Sequence, residues 1–380
     1  MTMDFIGLQQ TPFHVLFNIF IMLFFYLSLK PALDYYGGLS RGWIFFAKVL
    51  IVLFCIFSFW GADWFHYAQI FAKIKNFGGT HMEDIYVSIV QVSPNYIIFR
   101  LIIWGAALFF LFDFFKRVNV NSTVALLVFS VIWLIWFSYA RVSLAMAMMF
   151  WGVSVIFNPL CKKRFFSIII GLLAIVTSFY FHKTAVFGIS IIVIAFLVYR
   201  LNGRAIITLS ILFIPVEFIL VQNFLMDYML IDVSAEDSVI GASLVSGQRY
   251  LSEKTVVTGI GSNVAKFLEL VPYYLTLVCC LKLNLKRNHF VNIPNDVKIF
   301  AFIAFYTIIF STIFAFDFGL STEIFYGRFM RFAFLPCVIV ITYCYGWIET
   351  HKIAKFTIYS GVIGTIYQLL YVFYCALTKQ

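Results

Sequence analysis

Arg141 stands inside "WFSYARVSLAMAMMFW", Trp136 to Trp151, with dense apolar runs on both sides. A guanidinium is permanently charged, and its planar fork of donors matches phosphate oxygens. With no polar loop beside it, Arg141 reads as an anion site, the plainer alternative being a snorkelling anchor. Arg328 and Arg331 in "FYGRFMRFAF" are i and i+3, so they project from one face of a helix start and suit the same anion. Arg100 and Arg249 are further cations of this kind. Groups able to move a proton accompany them. His182 in "SFYFHKTAVF" lies at a helix boundary near the depth of Arg141. Asp63 in "FWGADWFHYAQIF" has His66 at i+3 and Tyr67 at i+4 if that segment is helical. Glu217 and Glu269 sit within apolar runs, near Pro215 and Pro272; each is a functional acid or the ion-pair partner of one of these arginines.

The elements that must position these residues are transmembrane helices. Hydrophobic residues make up 63% of the 380, charged residues 12%, and mean hydropathy is +0.97. A soluble domain carries roughly a quarter charged residues, so the chain reads as an all-α polytopic membrane protein, a single domain over 1–380. A crossing needs about 20 apolar residues. Spans are predicted near 11–29, 44–60, 96–115, 122–138, 141–157, 165–181, 184–200, 205–223, 263–281, 298–316, 328–347 and 356–376, about twelve in all. The short gaps at 139–140 and 182–183 admit either two crossings or a break inside a re-entrant pair. The first run lacks a basic lead and a cleavage site, and reads as a retained span.

Lysine and arginine set the orientation. Lys30 and Arg41, Lys116 and Arg117, Lys162 to Arg164, Arg200 and Arg204, Lys282 to Lys298, and Lys352 and Lys355 recur in alternate loops, which the positive-inside rule makes cytoplasmic. Both termini then lie outside, with two long outer loops at 61–95 and 224–262 that are expected to fold as lids or short interfacial helices. The net charge of +10 follows from this bias and from contact with anionic lipid headgroups, not from nucleic-acid binding. Arg100, Arg141, Lys183, Arg249, Lys254, Lys266, Arg328 and Arg331 all map to the outer side and break the bias. The seven cysteines show neither metal-ligand spacing nor a secreted disulfide framework. The sequence holds no phosphate loop, zinc-protease or serine-hydrolase motif and no Asp-x-Asp triplet, so neither a metal nor a cofactor is expected and phosphate would be met by arginine.

At this point a resemblance enters. "GADWFHYAQIF" resembles the GxDxxxYxxxF segment of the EpsG-like family, relatives of the Wzy-type bacterial polysaccharide polymerases, and "DFFKRV" resembles the basic turn that follows in that family. "SYARVSLAMAMMFWGVSVIF" is similar to the family's arginine segment and sets Arg141 on its arginine, with Val142 and Ser143 replacing the usual Gln-Gly. "SFYFHKTAVF" is similar to the Phe-His-x-Ser-Ala segment, with His182 on the histidine and Thr184 on the serine. "GQRYLSE" resembles a basic-Tyr element whose second tyrosine is absent here, and "YGRFMRF" lies where such proteins place an arginine. The resemblance runs from about residue 45 to 200 and is loose afterwards.

The resemblance implies a GT-C-like, metal-independent glycosyltransferase of the bacterial cytoplasmic membrane. It would lengthen an O-antigen, capsule or exopolysaccharide at the outer face. The growing glycan on undecaprenyl pyrophosphate would pass to a lipid-linked repeat unit. Arg141, with Arg328 and Arg331, would hold the departing pyrophosphate; Asp63 or His182 would be the base, Asp63 preferred. Membrane lipid, a flippase and a chain-length regulator would be its partners. Two rivals stand beside this: a flippase, which calls for charges through the full membrane depth, and a membrane O-acyltransferase, whose common bacterial type pairs an arginine and a histidine in its first span, a pairing His14 lacks.

Overall fold

Apolar runs of this length can satisfy their backbone without water only as α-helices, and the described chain is helical throughout. The computed structural model describes residues 12–34, 39–57, 61–78, 84–133, 137, 140–159, 164–182, 185–198, 260–285, 293–313 and 329–378. Among them are thirteen α-helices and no strand. In chain order they are α1 (Pro12–Asp34), α2 (Arg41–Phe57), α3 (Gly61–Phe77), α4 (Asp84–Val92), α5 (Tyr96–Arg117), α6 (Ser122–Ile132) and α7 (Ala140–Phe157). There follow α8 (Arg164–Phe181), α9 (Ala185–Val198), α10 (Ile260–Leu285), α11 (Asn295–Ile313), α12 (Phe334–Tyr345) and α13 (Ile348–Thr378). Among the described residues, five stretches are long and apolar enough to cross a membrane: Leu16–Asp34, Tyr96–Arg117, Ala140–Phe157, Arg164–Phe181 and Asn295–Thr312. The architecture fits a polytopic membrane protein. The expected span at 205–223, and the loop at 224–262 up to residue 259, lie outside the described residues.

Helix α7 is the centre. It is apolar on every side, and such a helix is stable only when surrounded; fifteen of its residues are buried, against α5, α8, α9 and α11. Contact with α8 is closest at Gly152 and Gly171. A methyl group on Gly152 would lie 2.5 Å from the Gly171 carbonyl oxygen, and one on Gly171 would lie 2.6 Å from that of Gly152. Small residues let two backbones meet this way where apolar burial gives helices no reason to associate.

Helix α6 is shorter than the span expected at 122–138. Its eleven residues reach about 16 Å, half of the roughly 30 Å of a hydrocarbon core. It stops because α13 supplies a partner for its open end: the Thr365 hydroxyl donates to the Ile132 carbonyl at 3.0 Å. A helix end buried without such a partner would be costly. The segment expected as an outer loop at 61–95 contains the two helices α3 and α4. Gly78 ends α3 with φ +76°, its N–H donating to the Ile74 carbonyl at 3.0 Å, the left-handed cap glycine adopts without strain. The Lys75 ammonium then donates to the Gln91 carbonyl at 2.6 Å and ties α3 to α4.

A polar lock fixes one end of the bundle. The buried Asp296 carboxylate, at the start of α11, accepts the Asn119 backbone N–H at 2.8 Å, the Asn119 amide at 3.0 Å and the Asn158 amide at 3.2 Å. Asp113 accepts from Arg117 at 2.5 Å and from the Trp151 indole at 2.8 Å. Since Asp113 meets Trp151 and Arg117 meets Asn158, α5 and α7 run parallel. This end also holds Lys116, Arg164, Lys298 and Lys352, cations that the sequence sets together, and Lys48, which lies near Lys116. The helix ends bearing Arg100, Arg141, His182, Glu269 and Arg331 lie opposite.

Candidate active site

Three helices converge on Arg141, in the first turn of α7. Its Nε donates to the Tyr67 hydroxyl on α3 at 3.0 Å. The guanidinium carbon lies 5.1 Å from the centre of the Tyr67 ring and 5.4 Å from that of Tyr86 on α4. Two aromatic faces so near attract a cation by about 0.5–2 kcal/mol each, more where water is excluded. The structure thus brings Arg141 and Tyr67, two residues singled out separately in the sequence, into contact.

The spacing along α3 explains how Tyr67 reaches it. Asp63, Tyr67 and Phe71 are four apart and share one stripe of the helix. Phe71 seats that stripe on α5, with ring centres 5.7 Å from both Tyr96 and Phe99. Asp63 holds the position one turn before Tyr67; its side chain lies outside the described residues.

Tyr86 was not expected. It is 1% exposed and packs edge-on against Phe99 at 5.0 Å. Burial pushes its phenol well above the ordinary tyrosine range, the neighbouring Tyr67 acts the same way, and Arg141 opposes them. The group therefore stays a neutral donor at any physiological pH.

Arg100 occupies a different place. It is 1% exposed on α5, donating to the Cys55 carbonyl and, at 3.4 Å, to the Tyr96 hydroxyl. The Cys55 carbonyl lies in the last turn of α2 (Arg41–Phe57), so Arg100 brings its charge to the negative end of that helix dipole. Its guanidinium also lies 5.8 Å from the Tyr96 ring, so an unbroken chain of four aromatic rings, Tyr67, Tyr86, Phe99 and Tyr96, runs between Arg141 and Arg100.

His182 forms the turn between α8 and α9; its N–H donates to the Ser178 carbonyl at 3.2 Å and its own carbonyl accepts from Ala185 at 2.9 Å. Arg331 opens a short 3₁₀ turn, Arg331–Ala333, that leads into α12. Phe329 beside it stacks on Phe187 of α9 at 4.2 Å, and Phe332 meets the same ring at 6.1 Å. That cluster brings the His182 and Arg331 turns to the start of α9. Glu269 is placed elsewhere, between α10 and α13, where it accepts from the Gln368 amide at 3.0 Å. Arg328, Arg249 and Glu217 lie outside the described residues. Among the described residues no group of three or more histidines, cysteines or carboxylates is arranged to hold a metal ion.

A helical membrane bundle with a guanidinium set beside two phenol rings at one end defines a class, a membrane protein with a cationic site. A model of the EpsG family matches residues 42–379. The chain belongs to the EpsG family, that of the Wzy-type polysaccharide polymerases, and the family points to a polysaccharide polymerase acting on lipid-linked glycan. No curated protein and no solved structure was found to match it.

Proposed function

We propose that the protein is a repeat-unit polymerase working at the outer face of the bacterial cytoplasmic membrane. It transfers the growing glycan from undecaprenyl pyrophosphate to a lipid-linked repeat unit. The observation that carries this reading is Arg141 held by Tyr67 and Tyr86, at the end of the bundle away from the lysine-rich loops. A hydroxyl of the acceptor sugar attacks the anomeric carbon of the donor. The new glycosidic bond forms as the carbon–oxygen bond to pyrophosphate breaks, and the electron pair leaves with undecaprenyl pyrophosphate. Charge grows on the departing phosphate, and a fixed cation stabilises it there. Arg141 is that cation; the Tyr67 and Tyr86 rings fix its plane, and the neutral Tyr86 phenol is a further donor. Arg331, with Arg328, contributes the second positive pair. Asp63 takes the hydroxyl proton, with His182 as the other group able to do so. These groups sit within a GT-C-like bundle of about twelve spans.

The test is a gel profile of surface and lipid-linked glycans from a strain lacking the gene, complemented with wild type, Asp63→Asn or His182→Gln. Outer-face single repeats without polymer, restored by wild type and not by Asp63→Asn, are expected. Single repeats trapped on the cytoplasmic face would sink the proposal in favour of a flippase.

A further inference from the structure

The lysine-rich end contains a cleft between α2, α5 and α6 that the polymerase reading does not use. Lys48 and Lys116 both line it, and Lys116 is close enough to Lys48 to repel it. Two like charges converging on one cleft of about 50 Å³ lower the stability of the bundle unless an anion sits between them. The nearest carboxylate in sequence, Asp113, is bonded to Arg117 and Trp151 and also attracts Lys116 from outside the cleft, but no carboxylate is among the described residues that line it. The hydroxyl-bearing Ser122 and Thr123 complete the polar side, at the positive end of α6. Asn121 takes the Thr123 and Val124 N–H groups, both at 3.1 Å, so the hydroxyls and ammonium groups are the donors left to face a ligand.

The remaining wall is apolar: Ile44, Phe112, Phe115 and Leu126. The Lys48 ammonium itself lies 5.2 Å from the centre of the Phe112 ring. On the same helices Phe45 is 69% exposed and Phe109 63% exposed, which gives hydrocarbon chains a surface to follow out of the cleft. A phosphate anion matches the donors, and an amphiphile matches the wall.

We infer that this cleft binds the phosphate of an anionic phospholipid, with Lys48, Lys116, Ser122 and Thr123 as its ligands and the acyl chains along α2 and α5. Free phosphate shares the headgroup chemistry, so the test separates the two. The full chain, purified in neutral detergent, is melted with added phosphatidylglycerol, phosphatidylcholine or inorganic phosphate. Phosphatidylglycerol is expected to raise the melting temperature saturably and the other two to leave it unchanged. In the double variant Lys48→Gln/Lys116→Gln the apparent affinity falls about tenfold or more. The charge-matched control Lys352→Gln/Lys355→Gln, at exposed positions on α13, keeps it. If the glutamine pair fails to fold, Lys48→Arg/Lys116→Arg is read instead and keeps the lipid response. An equal shift with inorganic phosphate overturns the lipid assignment. An undiminished response in the Lys48→Gln/Lys116→Gln protein, or an equal loss in the control, overturns the site.

Discussion

Replacing Arg141 separates the parts of its role. In Arg141→Lys the charge stays, but the Nε donor to Tyr67 and the planar group beside the two rings are lost. A charged hydrogen bond contributes about 1.5–3 kcal/mol, so the rate of polymer formation should fall about tenfold to a hundredfold. Arg141→Ala also removes the cation from the departing phosphate. By analogy with the loss of one donor to a developing oxyanion, the fall is about 10²–10³-fold. Tyr67→Phe keeps the ring and deletes only the hydroxyl, and should resemble the lysine variant. The assay is the initial rate of polymer formation by purified protein on lipid-linked repeat units, resolved on a gel, with melting curves taken in parallel. The order wild type, then Arg141→Lys and Tyr67→Phe, then Arg141→Ala is the expected one. An Arg141→Ala protein that melts like wild type and polymerises within about threefold of it would refute the phosphate role.

Two further predictions concern the frame. Gly152→Ala sets a methyl group 2.5 Å from the Gly171 carbonyl, so α7 and α8 must part; overpacking of this kind costs about 1–3 kcal/mol. Gly105→Ala on α5, with nothing within 4 Å, should be neutral or stabilising by up to about 1 kcal/mol; equal melting temperatures for the two variants would contradict the close packing. Asp296→Ala removes the acceptor shared by Asn119 and Asn158. Asn119 is exposed and can turn to water, and the Asn158 amide still meets the Arg117 carbonyl, so each lost hydrogen bond costs about 0.5–1.5 kcal/mol. Thermal melting reads this, and an unchanged midpoint would mean that the lock contributes nothing.

Long apolar runs were legible because the membrane leaves the backbone one choice. The predicted spans at 96–115, 141–157 and 165–181 coincide with α5, α7 and α8 to within two residues at each end. Helix α6 departs from its expected length because its stop depends on Thr365, 233 residues away, which no local signal in 122–138 encodes. Tyr67 was legible because it shares a helical stripe with Asp63. Tyr86 was not, since it sits on a separate nine-residue helix and reaches Arg141 only through the fold. Asp113 is overshadowed in "DFFKRV" by the basic pair that marks a cytoplasmic turn. The position of Arg100 at the last turn of α2 required knowing where that helix ends.

The two ends of α7 are joined to their neighbours by unlike materials. At the lysine-rich end, carboxylate, indole and amide groups tie it to α5 and α11 through several directional bonds that weaken steeply as angles change. At the other end, the Arg141 guanidinium meets α3 and α4 through a single hydrogen bond to Tyr67 and two aromatic rings, whose attraction varies slowly as one plane slides over the next. The register of α7 is therefore held by many angle-sensitive bonds at one end and, at the other, by one such bond beside a softer aromatic contact.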